Sequence, residues 1–174
     1  LDRLVAVPSA DDEVISLLDL TATTLGIAGV ERPPLMQSRN FLGDRIVPPR
    51  TFAFAARDRI DETVVTQRSV HDARYHYIRN STPGAGFLTL NRYKEKCFLV
   101  KPLMRTLYAA GELGGAAADL MKPFPEEMLY DTKADPHEVM NLADSVVPEH
   151  RDALLRLRAA LDTWIVETGD RGQR

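Results

Sequence analysis

Glu126-Glu127-Met128-Leu129-Tyr130-Asp131-Thr132-Lys133-Ala134-Asp135-Pro136-His137-Glu138-Val139-Met140-Asn141-Leu142-Ala143 holds three kinds of local structure in one segment. Met128 to Asp131 reads as a short strand, Asp135-Pro136 as a tight turn, and the residues after it as one helical turn. Just beyond, Pro148 opens a helix where its missing N–H costs nothing. Leu154, Leu157, Leu161, Trp164 and Ile165 give that helix an apolar stripe, and Gly169 ends it. A strand that hands over to a long amphipathic helix implies a sheet with helices packed on it. Trp164 is expected to anchor the helix on that sheet through its large ring.

Working back from this segment, Thr51-Phe52-Ala53-Phe54-Ala55, Thr63 to Val70 and Tyr75-His76-Tyr77-Ile78-Arg79 read as strands, with a hairpin turn at His71-Asp72-Ala73-Arg74. Asn80 to Gly86 reads as a loop. Leu103, Leu107 and Tyr108 suggest a helix near residues 100–111, stopped by Gly111, and the small residues Gly114 to Ala118 suggest a mobile segment. A first helix is expected over about residues 11–28, with Ser9 as N-cap, Asp11 and Asp12 in its first turn and Gly29 as its left-handed stop. Val14, Ile15, Leu17, Leu18, Leu20, Leu25 and Ile27 wrap most of its circumference, which predicts partners on several sides and self-association of the chain as a homo-oligomer. Residues 30–50 hold four of the eleven prolines and read as a surface connection. The fold class is α+β, with residues 1–174 as a single domain.

Composition narrows the function. With 44% hydrophobic residues the chain can build a real core. A net charge of −3 carries no footprint of a nucleic-acid partner, and no apolar run approaches the roughly 20 residues of a membrane span. Leu1-Asp2-Arg3-Leu4 lacks an initiator Met and a signal-peptide core, and reads as a cut point. Cys97 is the one cysteine, so no internal disulfide is possible.

The opening segment also resembles a stretch near the C-terminus of sulfatases, Glu-Leu-Tyr-Asp-Leu followed by Asp-Pro-x-Glu-x-x-Asn-Leu-Ala. Further segments resemble the family in the same order. Val14-Ile15-Ser16-Leu17-Leu18-Asp19-Leu20 is similar to the family helix Val-Ser-Leu-x-Asp-Leu, with Ala22 where Pro is usual. Met36-Gln37-Ser38-Arg39-Asn40-Phe41-Leu42 resembles Met-Gln-Gly-Arg-Ser-Phe-Leu. Arg57-Asp58-Arg59-Ile60-Asp61-Glu62, with Arg68-Ser69-Val70 and Arg74-Tyr75-His76-Tyr77-Ile78-Arg79-Asn80 behind it, is similar to segments of bacterial sulfatases related to heparan N-sulfatase. The last helix, ending Trp164 to Asp170, completes the match. The resemblance implies the alkaline phosphatase superfamily. It also implies a C-terminal domain built as a four-stranded antiparallel sheet packed against helices, a long C-terminal one among them.

The same resemblance implies that catalysis lies elsewhere. Sulfatases carry a Cys (or Ser)-x-Pro-x-Arg motif whose first residue becomes formylglycine, beside a calcium ion. Cys97 is followed by Phe98-Leu99-Val100-Lys101, and Ser81-Thr82-Pro83-Gly84-Ala85 lacks the Arg. Asp11-Asp12 reads as a pair of helix-start acids rather than as metal ligands after a strand, and His71, His76, His137 and His150 form no zinc spacing. Calcium and formylglycine are therefore expected in the full-length parent and not in this chain. The expected partners are an N-terminal catalytic domain and, through it, a sulfated small molecule or glycan. A periplasmic or secreted setting fits the family better than a cytoplasmic one.

Arg57, Asp58 and Arg59 are the substrate-binding candidates, because guanidinium groups grip sulfate and carboxylate with two-pronged hydrogen bonds. The competing reading makes them an exposed turn whose charges pair with one another. Two other functions stand beside this one. The chain could be an independent α+β interaction or sugar-binding domain, or the tail of a phosphonate or phosphoester hydrolase of the same superfamily.

Overall fold

The computed structural model describes residues 13–43 and 46–172. Ser9, Asp11 and Asp12, the predicted start of the first helix, lie outside the described residues. The chain divides into two compact units, one of residues 1–54 with 71–73, the other of residues 55–70 and 74–174.

In the first unit the helix α1 is Asp19–Ile27, shorter at its start than the predicted 11–28. The cause is local. The Asp19 carboxylate accepts the Ser16 backbone N–H at 3.0 Å, while the Asp19 N–H bonds the Ser16 carbonyl at 2.9 Å. A carboxylate that takes up its own upstream backbone favours a turn over another helical turn. The C-terminal end is as expected, with Gly29 left-handed at φ 73°. Ala22 and Thr23 are buried, while Leu17, Leu18, Leu20 and Ile27 are exposed. Residues 30–43 and 46–50 form no helix or strand.

Among the described residues the sheet has the order β1-β2-β3-β4. The strands are β1 (Ala53–Ile60), β2 (Thr63–His71), β3 (Tyr75–Asn80) and β4 (Glu127–Asp131). β1 begins later than predicted and runs through Arg57-Asp58-Arg59-Ile60, which the sequence suggested was loop. As a sheet edge it tolerates charges on its solvent side. A tight turn at Asp61-Glu62, with Asp61 at φ 53°, leads into β2. β3 and β4 pair antiparallel, Tyr77 opposite Leu129 and His76 opposite Tyr130.

That register sorts the second unit into two faces. Tyr75, Tyr77, Leu129 and Asp131 lie on one face, against helix α5 (Pro148–Thr168). Tyr77, Leu129, Leu157 and Leu161 are all 0% exposed and form the core. Ion pairs flank it, Arg79 with Asp162 at 2.7 Å and Arg158 with Glu127 at 2.6 Å. Pro148 stands in the first turn of α5, and Gly169, at φ 61°, caps its end. Trp164 is only half-buried. The buried positions are Ala153, Leu157 and Leu161, spaced by four, so the next step of that series falls on Ile165 and leaves Trp164 at the edge of the stripe.

Between β3 and β4 lie α2 (Arg92–Cys97), α3 (Val100–Ala109) and α4 (Gly115–Asp119). The α2 N-terminus is capped by Asn91, which accepts the Lys94 N–H at 3.0 Å. The predicted stop at Gly111 holds, at φ 73°. The expected mobile segment at Gly114 to Ala118 is instead the helix α4. An alanine run needs no apolar periodicity to wind, because alanine has the highest helix propensity. The helical turn expected after Asp135-Pro136 does not form. Asp135 Oδ2 accepts the N–H groups of Val139 and Met140, both at 2.7 Å, and Glu138 adopts φ 52°. Among the described residues no helix is long and apolar enough to cross a membrane.

Candidate functional site

The charged end of β1 is organised by Arg68 of β2, whose side chain is 1% exposed. Its guanidinium donates to Asp58 Oδ1 at 2.9 Å, to the Arg57 carbonyl at 3.0 Å and to the Gln67 carbonyl at 2.8 Å. It also forms a two-pronged pair with Asp170, just past the cap of α5. Arg68 and the Gly172 N–H, which donates to Asp170 at 2.9 Å, hold the Asp170 carboxyl down at about 2. Gly172 is the residue that fits here, since a Cβ at this position would lie 1.6 Å from an Arg68 nitrogen.

This arrangement separates the three predicted binding residues. Asp58 is engaged by Arg68 and acts as a strut between β1 and β2. Arg57 and Arg59 alternate with it along the strand and fall on the other side. Arg59 Nε donates to the Asp61 carbonyl, which lays the side chain along the turn. Arg57 is half-buried, and its Nε is a buried donor without a hydrogen-bond partner among the described residues. Buried donors are nearly always paired, so this one invites an acceptor.

Further cations gather around Lys101, whose ammonium also feels the charge of Arg57. Burial holds the Lys101 ammonium below the usual lysine range, and the charges of Lys94, Arg105 and Arg57 push the same way against Glu95. Lys101 and Arg105 share one face of α3 by their spacing of four. Arg105 is locked onto Glu95 of α2 in a two-pronged pair and donates to the Leu88 carbonyl at 2.6 Å. Glu95 is thus committed to Arg105, and the surroundings of Lys101 keep a positive excess. The chemistry such a patch offers is recognition of an anionic group by charge-assisted hydrogen bonds.

Lys101 and Arg105 were not singled out by sequence reading. Their four-residue spacing was the available signal, but it lies in a helix read only for its apolar side. Arg68 was visible only inside a family-like segment. The other candidates stay apart. Cys97 is exposed at the end of α2, and the exposed Ser81 donates its N–H to the Thr66 carbonyl at 2.9 Å. His76 meets Glu138 at 2.8 Å, while His150 Nδ1 lies 2.8 Å from the Ser145 hydroxyl.

The chain is similar to an ulvan-active sulfatase of Formosa agariphila, 36% identical over 163 residues, which are 93% of this chain and 27% of that protein. Among solved structures it resembles a 2-O GAG sulfatase with a TM-score of 0.58 and 20% identity, over 93% of this chain and 27% of that one. It also resembles a protein solved with its substrate D-glucosamine-2-N,6-O-disulfate, with a TM-score of 0.55 and 17% identity, over 90% of this chain and 25% of that one. The chain therefore spans about a quarter of the length of these relatives. No protein-family model matches it.

Proposed function

We propose that this chain, which has the sequence and fold of a sulfatase C-terminal domain, serves a larger sulfuric-ester or sulfamate hydrolase by reading an anionic group of its substrate. Attack at sulfur belongs to the catalytic domain of that parent, with its formylglycine and calcium. Among the described residues no three His, Cys, Asp or Glu side chains gather into a metal site. What this chain supplies is position and charge. The observation that carries the reading is the unpartnered, buried Arg57 Nε. Arg68 and Asp58 fix the backbone that presents Arg57, so the donor is set in place before a ligand arrives.

The substrate class proposed is a sulfated saccharide, as in the relatives named for ulvan and GAG activity. The test uses the full-length parent. Arg57→Ala is expected to raise KM for a sulfated disaccharide about tenfold, the loss of roughly one charge-assisted hydrogen bond. Turnover of a small aryl sulfate, too short to reach β1, stays unchanged. An equal loss on both substrates, or no change on either, would overturn the reading. Preferential hydrolysis of a phosphonate monoester over every sulfate would assign the parent to the neighbouring branch of the superfamily.

A further inference from the structure

The face of β4 turned away from α5 carries a cavity of about 610 Å³. Its size is that of a pocket for one or two sugar rings or a drug-sized molecule. The walls are chiefly apolar, with Phe87, Leu120, Phe124 and Met128 among them, and Phe87 is 56% exposed. Tyr130 lines it from β4, and Glu138 from the turn that follows Asp135-Pro136.

Three features of the polar lining point to a ligand. First, the Tyr130 hydroxyl donates to the Met128 sulfur at 3.2 Å. A thioether is a weak acceptor, so a half-buried phenol is left with a poor partner at the cavity wall. Second, Glu138 holds φ 52°, a conformation uncommon for a residue with a long side chain. Asp135 enforces it by binding the next two backbone N–H groups. Backbone strain of this kind persists where surrounding structure over-determines it, often at ligand sites. Third, Glu138 is aimed: one carboxylate oxygen meets His76 Nδ1 at 2.8 Å, and His76 stands directly across the sheet from Tyr130. The other oxygen has no hydrogen-bond partner among the described residues.

Charge decides the class of ligand. The cationic Lys122 of the lining is paired with Asp119 at 2.6 Å, which leaves Glu138 as a lining carboxylate with no Lys or Arg partner among the described residues. A sulfate or carboxylate would be repelled. Aromatic walls with one hydroxyl and one carboxylate oxygen suit a ring that offers C–H faces and several O–H donors. We infer that this cavity binds an uncharged pyranose residue, its hydroxyls donating to Glu138 and bonding Tyr130 and its ring face lying on Phe87 or Phe124. Placing that residue on the same glycan as the sulfate ester rests on the proposed function; binding of an uncharged sugar by the cavity does not.

The test is saturation-transfer NMR on the 174-residue chain with a panel of uncharged disaccharides of gluco, galacto, manno and xylo configuration, and with glucose 6-sulfate as the charged counterpart. At least one uncharged sugar is expected to show transfer, and more strongly than glucose 6-sulfate. Ala116→Trp, which fills the cavity without touching its hydrogen bonds, is expected to abolish it. Glu138→Gln and Tyr130→Phe should each weaken binding by roughly tenfold, with unchanged thermal melting. Transfer from no uncharged sugar, transfer that survives Ala116→Trp, or a preference for the sulfated sugar would each overturn the assignment. None of these outcomes bears on the Arg57 experiment, so the two readings fail separately.

Discussion

Removing the Asp19 carboxylate is expected to unfasten the first unit. Its side chain is 0% exposed and collects five contacts. Arg50 grips it with two nitrogens at 2.6 and 2.9 Å, and the backbone N–H groups of Arg39 and Ser16 donate at 2.7 and 3.0 Å. The Arg39 guanidinium lies 3.9 Å away. Burial raises the carboxyl pKa, but Arg50 and the two backbone donors outweigh it and hold the group at about 2, against 3.8 for an ordinary aspartate. That difference corresponds to roughly 2 kcal/mol. The folded pKa is depressed, so this contribution is full above about pH 4 and is lost as pH falls through about 2.

Asp19→Asn, which keeps the shape and removes the charge, should therefore cost about 2 kcal/mol at neutral pH and show little difference from the parent protein near pH 2. Asp19→Ala leaves Arg50 and two backbone N–H groups without their acceptor, which typically costs about 3–5 kcal/mol. Arg50 is 25% exposed and recovers part of its hydration, which favours the lower end of that range. The readout is hydrogen exchange over residues 19–43, since Trp164 fluorescence reports on the other unit. Unchanged protection of those amides in Asp19→Ala at pH 7, or a destabilisation by Asp19→Asn that persists undiminished near pH 2, would refute the reasoning.

Gly172→Ala should displace Arg68 or the tail and lower stability by about 1–2 kcal/mol, measured by urea unfolding; a neutral substitution would show that the Arg68–Asp170 pair does not depend on this approach. Trp164→Ala should cost about 2 kcal/mol, less than the roughly 3–5 of a fully buried ring, with fluorescence partly open to iodide; a loss of 4 kcal/mol or more, or no loss, would contradict a half-buried ring. The isolated chain should release no sulfate from an aryl sulfate in calcium; turnover removed by a substitution within it would place catalysis here. With Leu17, Leu18 and Leu20 exposed, the isolated chain should self-associate at high concentration, and Leu17→Glu should weaken the association; a strict monomer by sedimentation would sink this.

The element order, three of the four strands, the hairpin turn and both ends of α5 are legible in the sequence because each is written locally, in an apolar run, a Pro or a Gly. The start of α1 was not, because helical spacing from Val14 does not reveal that Asp19 turns back onto the Ser16 backbone. The same carboxylate also accepts from the Arg39 backbone and the Arg50 side chain, partners 20 and 31 residues away that no local pattern shows. The same long reach explains the family-like segments around Asp19 and Arg39. They read as unrelated short motifs, and the fold joins them through one buried carboxylate.

The candidate site was legible as composition and not as geometry. Arg57-Asp58-Arg59 looks like a uniform charged turn, and as a turn its charges would pair with each other. Once the segment is a strand, alternation makes the three residues unequal. Asp58 goes to Arg68, Arg59 folds onto the turn, and Arg57 alone keeps an unpartnered buried donor. The cavity on the far face was still less visible, because its polar residues come from the end of α4, from β4 and from the segment after Asp135, and the left-handed Glu138 occupies a position where sequence alone suggested a helical turn. The charge-reading edge proposed for β1 and the neutral-reading cavity inferred under β4 would be separate consequences of one alternating sheet. A ligand that uses both must carry a sulfate and an unsulfated ring, so in the parent Arg57→Ala combined with Ala116→Trp should raise KM for a partly sulfated oligosaccharide by about the product of the single effects. A double variant no worse than the stronger single one would show that no one glycan spans the two.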